Sequence, residues 1–167
     1  DYIREIPDYP KKGVSFKDIS TLVSDIDAFK YCLNEMSKYI LNIPKDIDYL
    51  ASIDARGFIF GSALSDRLSL PNILIRKKGK LPPPFISQTY ELEYGQSEIQ
   101  VSKSILPINK NILIIDDLIA SGGSAQASSE LLELSGNNVV GICVCIKLSY
   151  LKPEQIFKKD IFSVCDY

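Results

Sequence analysis

One stretch restricts the possible folds more than any other: NILIIDDLIASGGSA, residues 111–125. The apolar residues Ile112, Leu113, Ile114 and Ile115 run straight into two aspartates, Asp116 and Asp117, and a small-residue turn follows. A short continuous apolar run bounded by breakers reads as a strand buried on both faces, which requires a sheet covered by helices on both sides. DYLASI (48–53), NILIR (72–76) and NVVGICVCIKL (138–148) repeat that pattern. Between them, GFIFGSALSDRL (57–68) and SAQASSELLEL read as helices, the latter ending near Gly136. DIDAFKYCLNEMSKYIL places Ile26, Phe29, Leu33, Met36 and Ile40 at helical spacing, with Asp27 as the expected N-cap. Alternating strands and helices predict an α/β fold with a central, mostly parallel sheet flanked by helices.

Residues 77–106, KKGKLPPPFISQTYELEYGQSEIQVSKSIL, break the alternation. Three prolines precede a polar–apolar alternation on both sides of Tyr94–Gly95, which predicts an inserted β-hairpin flap over about residues 81–104. The whole chain, 167 residues, is expected to form one domain of ordinary size. A net charge of −2 argues against a nucleic-acid-binding face. No apolar run reaches the roughly 18 residues of a membrane span. The opening DYIREIPDYP lacks the basic and hydrophobic regions of a signal peptide, so a cytoplasmic protein is expected; position 1 is not Met, which is compatible with residues preceding it. Cys32, Cys143, Cys145 and Cys165 form no CxxC, and Cys143 and Cys145 alternate as strand residues on one face, so buried free thiols are expected. The chain has no histidine, which excludes Ser-His-Asp and Cys-His catalysis.

In open α/β sheets ligands bind beyond the carboxyl ends of the strands, where Asp116 and Asp117 are expected to stand. The glycine-rich turn Ala120, Ser121, Gly122, Gly123, Ser124 leads into a helix, so its N–H groups, the helix dipole and two hydroxyls suit a phosphate. Paired carboxylates would repel that anion unless they face sugar hydroxyls or a divalent metal. A ribose 5-phosphate satisfies both halves.

This order of apolar residues, acids and small residues resembles the phosphoribosyl-diphosphate signature of type I phosphoribosyltransferases. The resemblance extends to DYPKKGVSFKDIS, SIDARGFIFGSAL, ILIRKKGKLP and YELEYG, which follow the order and approximate spacing of the adenine phosphoribosyltransferase family. It implies the type I phosphoribosyltransferase fold and transfer of phosphoribose from phosphoribosyl diphosphate to N9 of adenine, giving AMP and pyrophosphate. It also implies a Mg²⁺ requirement, the metal held mainly by the substrate diphosphate and ribose hydroxyls, and a homodimer. By resemblance Asp116 and Asp117 hold the ribose hydroxyls and Ala120 to Ser124 the 5-phosphate, with Ser at 121 and 124 where Thr is more usual. IDARG resembles the pyrophosphate loop, with a cis peptide between Asp54 and Ala55 and with Arg56 beside it; Arg76, Lys77 and Lys80 are also assigned to pyrophosphate. Lys78 reads as a surface charge. Glu93 and Tyr94 resemble the catalytic residues of the closing flap, Glu93 as acid or base at N7 or N9. Phe16 and Leu148 match positions that sandwich adenine, and backbone groups at Ser15, Lys17 and near Arg56 read its edge, within an N-terminal base-binding segment of about residues 1–20. Two departures stand out: Lys17 occupies a position where Arg is common, and Lys147 one where an acidic residue is often found. The alternatives are a phosphoribosyltransferase for another 6-substituted purine and an inactive phosphoribosyl-diphosphate-sensing regulator.

Overall fold

A computed structural model describes residues 2–92 and 95–167. Its centre is a parallel sheet made of β3 (Tyr49–Ile53), β4 (Asn72–Lys77), β7 (Asn111–Ile119), β8 (Asn138–Lys147) and β9 (Asp160–Asp166). The inserted hairpin, β5 (Phe85–Leu92) and β6 (Gly95–Ser102), adds to the β4 edge, giving the order β5-β6-β4-β3-β7-β8-β9. β6 pairs antiparallel to β4 through Arg76 opposite Gln100 and Lys77 opposite Ile99. A separate two-stranded sheet joins β1 (Arg4–Ile6) to β2 (Phe16–Asp18) near the N-terminus. The helices are α1 (Ser20–Ser24), α2 (Ile26–Asn42), α3 (Gly57–Leu68) and α4 (Gly123–Glu133).

Side-chain alternation along the central strands divides the core in two. In β7, Ile112 and Ile114 pack with Leu131 and Leu132 of α4, whereas Leu113 and Ile115 pack with Met36 of α2 and Phe60 and Leu64 of α3. Each such side chain contributes roughly 1.5–3 kcal/mol on leaving water, an upper figure because unfolded chains are partly compact. The same alternation sends Cys143 and Cys145 to the α2 side beside Cys32; Cys165 is only half-buried, and all four thiols are free. Among the described residues no helix is long and apolar enough to cross a membrane.

Three details differ from the sequence reading. The N-cap of α2 is Asp25, not Asp27: Asp25 is extended, and its carboxylate accepts from the N–H groups of Asp27 and Ala28, leaving Asp27 in the first turn. Ile26, at the helix entrance, is exposed rather than part of the buried stripe. Strand β7 does not end before the acids. It continues to Ile119, because β8 pairs with it through Asp116, Leu118 and Ile119, while β3 stops pairing at Ile115. The paired acids therefore sit on a strand that outruns one neighbour, with an open flank on the β3 side. Strand β9 and the β1–β2 sheet were not anticipated: β9 is a half-buried edge strand interrupted by Ser163, and β1 and β2 have three residues each, so neither presents an apolar run.

Candidate active site

A cavity of about 650 Å³ opens where β3, β4 and β7 end and the hairpin arches over them. It is lined by Asp54, Ala55 and Arg56 after β3, Lys77 at the end of β4, Asp116 and Asp117 in β7, and all five residues from Ala120 to Ser124. Positions separated by more than sixty residues in the chain thus converge on one space. The Asp54–Ala55 peptide is cis, as expected.

The turn between β7 and α4 depends on one backbone conformation. Gly122, the N-cap of α4, has φ +91°, a region open to glycine at little cost, and a β-carbon there would also stand 2.9 Å from the Pro153 carbonyl. Among the described residues no side chain caps α4. Its first N–H groups, which lack intrahelical acceptors, therefore join the positive end of the helix dipole in an anion seat.

The acids are held in different ways. Asp116 accepts the Asp117 N–H at 2.9 Å on Oδ1. Asp117 is 2% exposed, and Arg56 Nε lies 3.0 Å from its Oδ2. That contact is an ion pair without hydrogen-bond alignment, so Oδ2 is a buried acceptor lacking a directed donor. A buried carboxylate oxygen in that state is matched to a donor from a ligand, such as a sugar hydroxyl. Burial, and then the neighbouring Asp117 charge, push the Asp116 carboxyl well above its usual range; burial raises Asp117 as well, opposed mainly by Arg56. The helix start presses against this pair: a β-carbon on Gly57 would stand 2.9 Å from Asp116 Oδ1. Among the described residues no three His, Cys, Asp or Glu groups form a ready-made metal cage. The hard oxygens here that suit a divalent cation are those of Asp116 and Asp117.

The cations after β4 are distributed unevenly. Lys77 faces the cavity, but Arg76 is engaged by Asp54, its Nε 3.0 Å from Oδ2, and lies over the Phe58 ring. Burial alone would raise the Asp54 carboxyl; Arg76 and the Lys77 N–H outweigh it and hold it below its usual range. Lys78 pairs with Glu98 at 2.8 Å, in line with a surface charge. Lys80 is exposed, and neither it nor Arg76 lines the cavity. Glu93 and Tyr94 lie outside the described residues.

Of the expected base-binding residues, Arg56 lines this cavity, whereas Ser15, Phe16, Lys17 and Leu148 do not. Phe16 has the Arg56 guanidinium 5.4 Å from its ring centroid and packs edge-on against Tyr9. Arg56 thereby links the acid pair to the Phe16 ring. The Ser15 hydroxyl donates to Glu5. Lys17, only 4% exposed, has its ammonium 3.0 Å from Glu5 and 4.1 Å from the Tyr167 ring centroid, so its side chain is committed between the N-terminal sheet and the C-terminal residue. Leu148 is buried, its N–H donating to the Ile119 carbonyl, and Lys147 stands 3.8 Å from Glu154.

Comparison with known proteins places this geometry. Residues 24–166 match the model of the phosphoribosyl transferase domain. The adenine phosphoribosyltransferase of Butyrivibrio fibrisolvens is 40% identical over 165 residues, covering 99% of this chain and 91% of that protein. The chain belongs to the adenine phosphoribosyltransferase family. The structure of the family member from Thermoanaerobacter pseudethanolicus superposes with a TM-score of 0.94 at 38% identity, covering 99% of this chain and 96% of the other. That from Giardia lamblia, complexed with 9-deazaadenine, gives 0.90 at 33% identity, covering 99% and 93%. The type I phosphoribosyltransferase fold with its inserted hairpin is thus the observed one.

In this adenine phosphoribosyltransferase family member the sequence reading passed over Tyr90. It lines the cavity from β5 and accepts a hydrogen bond from the Ser124 hydroxyl at 3.1 Å. The signal was strand alternation. Gln88 and Tyr90 share one face of β5, and both reach α4, Gln88 through Glu130 at 2.9 Å.

Proposed function

We propose that this chain catalyses purine salvage by transferring phosphoribose from phosphoribosyl diphosphate to N9 of adenine. The bond from C1′ to the diphosphate oxygen breaks, the C1′–N9 bond forms, and the proton on the adenine nitrogen departs; the products are AMP and pyrophosphate. The observation that carries this reading is the buried Asp116–Asp117 pair, with its undirected Oδ2, placed in one cavity with the glycine-rich mouth of α4. The names of its relatives and the 9-deazaadenine bound to one of them support the choice of base.

Asp116 and Asp117 accept hydrogen bonds from the ribose hydroxyls. The turn from Ala120 to Ser124 holds the 5-phosphate, and the N–H groups around Asp54, Ala55 and Arg56, with Lys77, face the diphosphate. Arg76 and Lys80 are assigned to the diphosphate as well, Arg76 also ordering Asp54. Phe16 and Leu148 enclose the adenine ring, with backbone groups of Ser15 and Lys17 and the region of Arg56 at its edge. Mg²⁺, held mainly by the diphosphate and ribose hydroxyls, would supply charge neutralisation for the leaving group, with Asp116 and Asp117 as the carboxylates that could support it. Glu93 handles the purine proton while Tyr94 and the hairpin close over the sugar, excluding water from a ribose with oxocarbenium character. A cytoplasmic homodimer completes the reading.

The test is nucleotide formation by the purified protein with Mg²⁺ and phosphoribosyl diphosphate, offered adenine, hypoxanthine and guanine separately. AMP formed from adenine alone is expected. Product from hypoxanthine but not adenine would reassign the base, and none from any base would favour a sensor.

A further inference from the structure

Resting on the phosphoribosyl-transfer reading, we propose that Tyr90 is a direct ligand of the substrate's 5-phosphate, delivered to it by the hairpin. Three observations place it there. Its strand lies at the far edge of the sheet, separated from β7 by β6, β4 and β3, yet Tyr90 lines the same cavity as Ser121 to Ser124. Ser124 Oγ donates to the phenolic oxygen at 3.1 Å, so the phenol's own proton is left to donate elsewhere. The ring lies along the turn itself: a β-carbon on Gly123 would stand 3.8 Å from Tyr90 Cδ2 and 3.7 Å from the Glu91 carbonyl.

Two residues earlier on the same strand face, Gln88 donates to Glu130 at 2.9 Å, so β5 is docked on α4 at two points one helical stretch apart. On the hairpin side of the anion seat stand the Tyr90 ring and the Glu91 carbonyl, both close to Gly123. The Tyr90 hydroxyl is the donor that the hairpin contributes to that side. With the one Ser124 proton given to Tyr90, the Ser121 hydroxyl and the turn's N–H groups leave acceptor sites on a dianionic phosphoryl group, and a phenol donating to an anion forms the stronger class of hydrogen bond. Hairpin closure is thereby linked to occupancy of the 5-phosphate seat through one side chain.

The test is Tyr90→Phe, which keeps the ring packing and removes the hydroxyl. It is to be compared with wild type, Ser124→Ala and the double variant by calorimetric titration with ribose 5-phosphate and, separately, pyrophosphate. Loss of a hydrogen bond to a charged group weakens binding on the order of tenfold or more. Ribose 5-phosphate affinity is expected to fall about tenfold in Tyr90→Phe, and again by about tenfold when the change is made in Ser124→Ala. Pyrophosphate affinity stays within about twofold, and KM for phosphoribosyl diphosphate rises while kcat changes little. Unchanged ribose 5-phosphate affinity in Tyr90→Phe overturns the inference. So does a loss confined to the background with Ser124 intact, since Tyr90 would then act only through that serine, or an equal loss for pyrophosphate, the mark of a loosened hairpin. Wild-type protein that binds no ribose 5-phosphate would instead overturn the phosphoribosyl-transfer reading on which the inference rests.

Discussion

Two glycines one turn apart in α3, Gly57 and Gly61, should separate stability from function when each is replaced by alanine. At Gly61 the new β-carbon would stand 1.7 Å from Ser52 Oγ and 2.8 Å from Ser52 Cβ, against an ordinary contact of at least 3.4 Å. Rotating the serine hydroxyl away would break its 2.7 Å bond to Asn72 and still leave the Cβ–Cβ overlap, so the helix must lift by about 0.6 Å. Overpacking of that kind costs about 1–3 kcal/mol, and an orphaned buried hydroxyl adds about 1–3 kcal/mol. Alanine's better helix propensity offsets about 1 kcal/mol. The net loss of roughly 1–5 kcal/mol lowers Tm by about 2–4 °C for each kcal/mol in a chain of this size. At Gly57 the clash is milder, 2.9 Å from Asp116 Oδ1 and from the Ile115 carbonyl, but it falls on the acid pair. Relief by about 0.5 Å costs roughly 1–3 kcal/mol and moves a proposed ribose ligand, enough to lower kcat/KM by about 10–100-fold. Thermal unfolding and AMP formation, assayed well below both Tm values, would resolve the two. Gly61→Ala should lose the more stability and keep kcat/KM within about threefold, and Gly57→Ala should show the reverse. Wild-type kinetics in Gly57→Ala would refute the placement of Asp116, and an unchanged Tm in Gly61→Ala would refute the close helix–strand contact.

Because the folded protein holds the Asp116 and Asp117 protons more tightly than an unfolded chain does, the pair's contribution to stability is lost as pH rises from near 4 upward. Asp116→Asn should therefore have a higher Tm than wild type at pH 8, with the gap closing towards pH 4; a gap independent of pH would count against a buried, proton-retaining pair. Glu93→Gln should lower kcat by about 10²–10⁴-fold with little change in phosphoribosyl-diphosphate affinity, the signature of a proton-transfer group, and equal turnover would exclude that role. Arg56→Gln leaves Asp117 buried without its nearest cation, and with the guanidinium partly exposed should cost about 1–3 kcal/mol in denaturant unfolding; no change would show that the ion pair is not what holds that carboxylate.

Most of the parallel core could be read from Ile112 to Ile115 and from the similar runs at 50–53, 73–75 and 139–146, because strands buried on both faces have little choice but to be apolar throughout. The cavity-facing residues from Ala120 to Ser124 were legible for a related reason, since a turn that presents backbone N–H groups needs small or glycine residues; Asp54 to Arg56 were reached only through the family resemblance of IDARG. What escaped notice depends on pairing partners far apart in the chain. Strand β7 carries its acids inside the ladder because β8 continues beside it, a fact that neither sequence contains alone. Asp25 rather than Asp27 caps α2 because the chain's extended entry ends two residues earlier, a choice the two Asp residues leave ambiguous. The resemblance puts Lys17 at the base's edge through its backbone; that its side chain goes to Glu5 and Tyr167 follows only once the two ends of the chain meet. Tyr90 could be found by following alternation along β5, but its importance emerges when the hairpin is folded back onto α4.

The most direct measurement is the affinity of the Asp116→Asn, Asp117→Asn double variant for phosphoribosyl diphosphate with Mg²⁺, by titration calorimetry, its fold checked by circular dichroism. Each carboxylate that accepts from a ribose hydroxyl contributes about 1.5–3 kcal/mol, so binding should weaken by roughly 10²–10⁴-fold. A folded double variant that binds the substrate as tightly as the unaltered protein would contradict the idea that these two acids hold the sugar.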